Sequence, residues 1–291
     1  MRWEDREKST NVEDRRRLSP QAGMALGGGG IIILIIALIF GLDPRKVANV
    51  IGQVQGNGAG QGQVDPNIQF TPEQERQADF SKVVFGDTER IWTELFRKEL
   101  VKEYRKPTLV LFTGRVLSAC GGADAAVGPF YCPGDQKVYI DCSFYEEMEK
   151  KLNADGEFAR AYVIAHEVGH HVQNLLGFTQ RVDDARRRGS KEDANRASVR
   201  LELQADFLAG VWAHHAQKKY NFLEHGDIEK AMNAANQIGD DMLQKNATGT
   251  VRPESFTHGT SKQRMRWFME GLKTGELARM QLLFELPYEQ L

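Results

Sequence analysis

The sequence predicts an α+β protein, mostly helical with a small β-sheet or hairpin, preceded by one transmembrane helix. Three observations predict it. Leu18 to Leu42 is 25 residues without a charge, and its densest stretch is Ile31 to Phe40, IIILIIALIF. From Pro72 onward apolar residues recur mostly at helical spacing. Pro129 to Asp141, PFYCPGDQKVYID, places Pro133-Gly134-Asp135 as a turn between two β-prone pieces.

Composition bounds the function. The chain has 291 residues, 41% hydrophobic and 27% charged, a globular balance that excludes collagen-like and wholly disordered classes. A formal net charge of −2 leaves no basic field to recruit nucleic acid. Mean hydropathy is −0.47, which excludes a polytopic membrane protein but not a single span. Three cysteines are too few for a disulfide scaffold and lack zinc-finger spacing.

In chain order, residues 1–21 carry charges of both signs and read as a solvated cytoplasmic tail. Residues 22–42 reach the roughly 20-residue length of a membrane span. Phe40-Gly41-Leu42-Asp43-Pro44 is a poor cleavage site, so the segment reads as an uncleaved anchor rather than a signal peptide. Arg15, Arg16 and Arg17 before it outnumber Arg45 and Lys46 after it, a weak bias toward a cytoplasmic N-terminus with the rest outside. Residues 43–70, rich in Gly, Gln and Asn, form a linker, and residues 71–291 form the folded domain. Thr71-Pro72-Glu73 opens a helix that ends before Gly86, and a second passes through Ile91, Trp92, Leu95 and Tyr104. Thr108 to Phe112 is a short strand. Further helices are expected over 143–152, 156–176, 194–219, 226–245 and 260–273, with Gly177 capping the second of these.

The chemistry lies in the 156–176 helix. His166-Glu167-Val168-Gly169-His170 is an H-E-x-x-H pattern. Residues four apart share a helix face, so both imidazoles can reach one metal ion, with Glu167 beside them as a general base rather than a ligand. Ile164, Val168, Val172 and Leu175 form the face to be buried. His171 points away from the pair and reads as structural or exposed. A catalytic zinc takes three protein ligands and an open position. Gln173 and Leu176 stand where one class of zinc enzymes has glycine and a third histidine, so that class is excluded. The next helix offers Glu202 and Asp206 on one face. Glu202 reads as the third ligand, and Asp206 as the partner of the outer nitrogen of a ligand histidine.

HEVGHH, ELQADFLAGVW and FTHGTSKQR, with GPFYCPGDQKVYID, the anchor and the linker, resemble the bacterial membrane-anchored "putative neutral zinc metallopeptidase" family, the YpfJ-like proteins. The resemblance covers nearly the whole chain. It implies a zincin-like domain of gluzincin type, one Zn2+ per chain on His166, His170 and Glu202, and Glu167 as the base of peptide hydrolysis. It supplies no substrate.

Other residues complete the expectation. His258, in a loop before a helix, is the candidate donor to the oxyanion. Arg264 on that helix could pair with an acid near the site or be exposed, and exposure is the preferred reading. The strand containing Lys137, Val138, Tyr139 and Ile140 is expected to bind an extended peptide by edge pairing, which favours an endopeptidase. Cys120 and Cys132 enclose a glycine-containing loop that a disulfide could close, fitting a compartment outside the cytoplasm. Free thiols, or pairing with Cys142, are the alternatives. The expected partners are a peptide or protein substrate and, through the N-terminal helix, the bacterial inner membrane. The competing readings are a zinc-binding envelope protein without turnover and an interaction module docking through the span and Gly27 to Gly30.

Overall fold

The structure is a computed structural model that describes residues 1–18, 67–124, 128–145, 148, 156–237, 239–248 and 250–291. The expected span over 22–42 and most of the linker over 43–70 lie outside the described residues. Among the described residues, no helix is long and apolar enough to cross a membrane.

The elements run as follows. Strand β1 (Val12–Asp14) precedes helix α1 (Pro72–Leu95), whose last turns widen to π-helix over Phe96–Leu100. Strands β2 (Thr108–Phe112), β3 (Arg115–Ser118), β4 (Gly121–Asp124), β5 (Phe130–Cys132) and β6 (Lys137–Asp141) follow. The rest is helical: α2 (Glu157–Leu176), α3 (Phe178–Arg188), α4 (Lys191–Tyr220), α5 (Asp227–Gln237), α6 (Asp240–Thr248) and α7 (Ser261–Thr274). This is the mostly helical α+β architecture expected. Local signals act where they were read: Thr71 and Gln74 form a capping box with Pro72 in the first turn, and Gly177 closes α2 in the left-handed region at φ 81°.

One sheet is ordered β1-β2-β6-β5, and β3 and β4 form a separate hairpin. β2 pairs parallel with β1 and with β6, while β5 and β6 are the expected antiparallel hairpin. This corrects the substrate-strand assignment. Lys137, Val138, Tyr139 and Ile140 lie on β6, which has β2 on one side and β5 on the other, so that strand is not an edge. The outer strand on that side is β5. The β3–β4 hairpin replaces the open loop expected there, and the Cys120–Cys132 disulfide joins its turn to the end of β5. Cys142 is free and buried.

A second correction concerns the N-terminus. Residues 1–17 are not a solvated tail. Met1 and Trp3 are buried, and β1 is hydrogen-bonded to β2 in the register Val12↔Leu109 to Asp14↔Leu111. A third follows from it: α1 runs unbroken through Gly86. A Cβ at Gly86 would come 3.0 Å from the backbone nitrogen of Ser9 and 3.2 Å from the carbonyl oxygen of Glu7. The glycine makes room for the N-terminal segment rather than ending the helix.

α4 is the central helix. It crosses α7 with the two backbones in contact: a Cβ on Gly210 would meet the carbonyl oxygen of Phe268 at 2.1 Å, and one on Gly271 that of Phe207 at 2.1 Å. The core fills around this crossing with Trp92, Phe158, Tyr162, Phe207, Trp212, Phe222 and Phe268, all fully or almost fully buried. The helix expected over 226–245 is two helices, α5 and α6. Between them Gly239 lies against Ser261, where a Cβ would approach within 2.3 Å of its backbone nitrogen.

Trp3 is only 5% exposed and packs edge-on against Phe80. Trp3→Ala is therefore expected to lower the stability of the protein by about 3 kcal/mol. A urea midpoint unchanged from wild type would show that the N-terminal segment contributes nothing to the folded state.

Candidate metal centre

α2 carries His166, Glu167 and His170, and α4 carries Glu202 and Asp206. The two helices pack closely because Gly169, inside the H-E-x-x-H pattern, faces Ala205. A Cβ at Gly169 would come 3.0 Å from the carbonyl oxygen of Ala205 and 3.2 Å from its Cα. A small residue at this crossing brings the acids of α4 up to the histidines of α2.

Three donor atoms converge. His166 Nε2 lies 3.1 Å from His170 Nε2 and 3.2 Å from Glu202 Oε2, and His170 Nε2 lies 3.6 Å from the same oxygen. Among the described residues, His166, His170 and Glu202 form a group that could hold a metal ion. A tetrahedral zinc with bonds of about 2.1 Å has ligand-to-ligand edges of about 3.4 Å. The spacing and the two-nitrogen, one-carboxylate donor set therefore fit zinc.

The outer nitrogens are both engaged, which points each Nε2 at the centre. Asp206 Oδ1 accepts from His166 Nδ1 at 2.8 Å. Asp206 has no solvent exposure and is satisfied further by Tyr162, whose hydroxyl donates at 2.5 Å, and by Arg264, whose Nε donates to the second oxygen at 2.8 Å. Arg264 is thus buried and paired with an acid of the site, the less favoured of its two readings, and is not exposed. His170 Nδ1 instead donates to the neutral amide of Gln173 at 2.8 Å. Gln173 Nε2 donates in turn to the carbonyl of Leu201 at 2.6 Å and to Gln204 at 2.9 Å, tying α2 to α4 beside Glu202.

Charge follows from these contacts. Burial opposes ionisation of Asp206, but Arg264 and His166 outweigh it and bring the carboxyl down to about 2. Burial likewise opposes charge on Glu202, but His170, with hydrogen bonds from His166 and His170, holds it well below the usual carboxylate range. Glu167 moves the other way. Burial raises its carboxyl despite the two neighbouring histidines and a backbone N–H from Tyr131 of β5. Burial also dominates at His171, bringing it down to about 4, and it is structural as expected. It sits between the Tyr131 hydroxyl at 3.1 Å and the Arg105 carbonyl at 2.6 Å.

His258 lies in the loop before α7, buried, within electrostatic reach of Glu202. Asp240, at the start of α6, fixes it. The Asp240 carboxylate accepts from the backbone N–H groups of Thr257, His258 and Gly259, and its Oδ1 lies 3.1 Å from His258 Nδ1. The sequence pattern assigned no site role to Tyr162, Gln173 or Asp240. Gln173 alone had a local signal, standing one turn beyond His170 on the same face. Lys137 to Ile140 are not part of this cluster of ligands.

A sequence model of the family described as "Putative neutral zinc metallopeptidase" matches residues 1–282, and the chain belongs to that family. Among relatives, the chain is similar to the uncharacterized protein YpfJ of Escherichia coli (strain K12), 45% identical over 96% of this chain and 97% of that one. It is also similar to the uncharacterized protein Mb2605 of Mycobacterium bovis, 42% identical over 62% of this chain and 63% of that one. No solved structure matches.

Gln173→Ala removes the partner of His170 Nδ1, so zinc affinity should fall about 10- to 100-fold. Competition with a chelator measures it, and an unchanged affinity would deny Gln173 a part in the centre. Arg264→Ala leaves Asp206 buried beside His166 without its main cation, and should cost roughly 3 kcal/mol or more in urea unfolding.

Proposed function

We propose that this family member is a zinc-dependent peptidase, with one Zn2+ held by His166, His170 and Glu202 and with Glu167 as general base. The observation that carries the reading is the convergence of two oriented Nε2 atoms and one ionised carboxylate beside a second, buried carboxylate of raised pKa. Bound there, zinc would activate a water molecule and polarise the scissile carbonyl.

The chain's own groups have separable tasks. Glu167 takes the proton of the attacking water and passes it to the departing amine. His258, aligned by Asp240, donates a hydrogen bond to the oxygen on which negative charge develops. Asp206, Arg264 and Tyr162 keep His166 in place. β5 replaces β6 as the strand along which an extended substrate pairs. It is the outer strand of its sheet, and the backbone of Tyr131 already reaches Glu167. Pairing along a strand suits an internal stretch of peptide, hence an endopeptidase.

The compartment reading rests on the Cys120–Cys132 disulfide, which fits an oxidising environment outside the cytoplasm. Attachment to the inner membrane rests on the apolar composition of residues 22–42.

Glu167→Gln preserves size and hydrogen bonding but cannot accept a proton. Peptide-library cleavage should fall by about two to four orders of magnitude while zinc content stays at one per chain. Equal cleavage by wild type and variant, both loaded with zinc, would end the peptidase reading. Reduction of the Cys120–Cys132 bond frees the end of β5 beside Glu167. Activity is expected to drop with zinc retained, measured with and without a thiol reductant that does not chelate zinc, on the same sample.

A further inference from the structure

Residues 1–17 are bound to the body along nearly their whole length. The Trp3 indole N–H donates to Glu157, the first residue of α2, at 2.9 Å. Arg6 reaches Asp87 at 2.6 Å, and Asp87 has no exposure; the guanidinium also lies over the rings of Tyr220 and Phe222. The Ser9 backbone N–H donates to the Lys82 carbonyl at 2.9 Å, and its hydroxyl to Glu89 at 3.0 Å. β1 then adds to the side of β2 away from β6, with Leu109 N–H donating to the Asn11 carbonyl and Arg15 N–H to that of Leu111. Arg16 ends the segment between Asp14 at 2.7 Å and Glu75 at 3.1 Å, over the ring of Phe70.

The receiving surface is shaped for this segment. Gly86 is bare where Glu7 and Ser9 cross α1. Without the segment, Asp87 would lose one of its two guanidinium partners at zero exposure, and β2 would lose its partner on one side. Two of the three arginines that suggested a cytoplasmic flank are committed: Arg15 pairs with Glu13, and Arg16 with Asp14 and Glu75.

A bilayer's hydrocarbon core is about 30 Å thick, ten times the length of the hydrogen bonds that join β1 to β2. A folded body on one side of a membrane cannot hold residues 1–17 on the other. We infer that residues 1–17 and residues 67–291 occupy one compartment in the folded protein, whatever path residues 19–66 take between them. The arrangement with the N-terminus in the cytoplasm and the body outside is replaced by a two-segment fold that closes only when both segments are on the same side. This inference is independent of the peptidase reading, because its test contains no catalytic measurement.

The test uses the full chain with one exposed reporter cysteine at a time, Thr10→Cys in the N-terminal segment or Glu285→Cys in the body, in intact bacterial spheroplasts. A membrane-impermeant maleimide is applied before and after detergent. The parent chain, with Cys142 buried and the other two cysteines bonded, is the blank. Both reporters are expected to become labelled in the same condition. Labelling of one before detergent and of the other only after it overturns the inference. Asp5→Cys is the second reporter in the N-terminal segment, so the outcome does not hang on a single variant.

Discussion

The site depends on the buried ion pair between Asp206 and Arg264. Asp206 has no contact with water and still carries its charge, because Arg264 binds both of its oxygens while Tyr162 and His166 donate to one of them. Three helices meet at this carboxylate: α2 through Tyr162 and His166, α4 through Asp206 itself, and α7 through Arg264. The glycine crossings follow the same logic. Gly210 and Gly271 let α4 and α7 touch, and Gly169 lets α2 approach α4. A buried pair of this kind is weak evidence for added stability, but losing one partner leaves an uncompensated charge. The geometry of His166 is thereby tied to the integrity of the core.

What was legible in the sequence was what depends on near neighbours. The H-E-x-x-H spacing, the Glu202 and Asp206 face, the Thr71 cap, the Gly177 cap and the β5–β6 hairpin are fixed within a turn or two of chain, and each stands where the pattern put it. What was not legible depends on distant partners. Arg264 lies 58 residues from Asp206, so nothing local distinguished it from an exposed arginine. Gly86 looked like a helix end because the segment that crosses it lies near residue 8. β6 looked like an edge because its second neighbour, β2, joins it in parallel across intervening strands. The charged residues of the N-terminal segment looked solvated because their partners, such as Asp87 and Glu75, lie far along the chain.

The two histidines share a motif but not an environment. His166 rests on a carboxylate, and burial, which works against its charge, is outweighed by Asp206, so that it is pushed up to about 10. His170 rests on an amide, which fixes the ring without adding charge. A carboxylate partner makes an imidazole a stronger electron donor, whereas an amide only orients it. Neither partner has any exposure, and Asp206 is enclosed by Tyr162 and Arg264. Gln173, by contrast, bridges α2 to the backbone at Leu201, next to Glu202. One outer partner thus adds negative charge beside the ring it holds, and the other ties α2 to α4 across the crossing that Gly169 permits.

The same division by environment separates the acids. Glu167 and Glu202 are identical side chains in one cluster, both largely buried, yet they are driven in opposite directions. Burial costs each of them the hydration of its charge. Glu202 regains it from hydrogen bonds to both ring Nε2 atoms and from the charge on His170, and remains ionised well below the ordinary range. Glu167 feels the histidines only through space and has one backbone donor, so burial prevails and its carboxyl is raised. A metal ligand needs a permanent negative charge, and a proton carrier needs a pKa nearer neutrality. Two carboxylates whose surroundings push their pKa values apart are the pattern expected where one group serves as a ligand and the other as a base, which is the division of tasks proposed for Glu202 and Glu167.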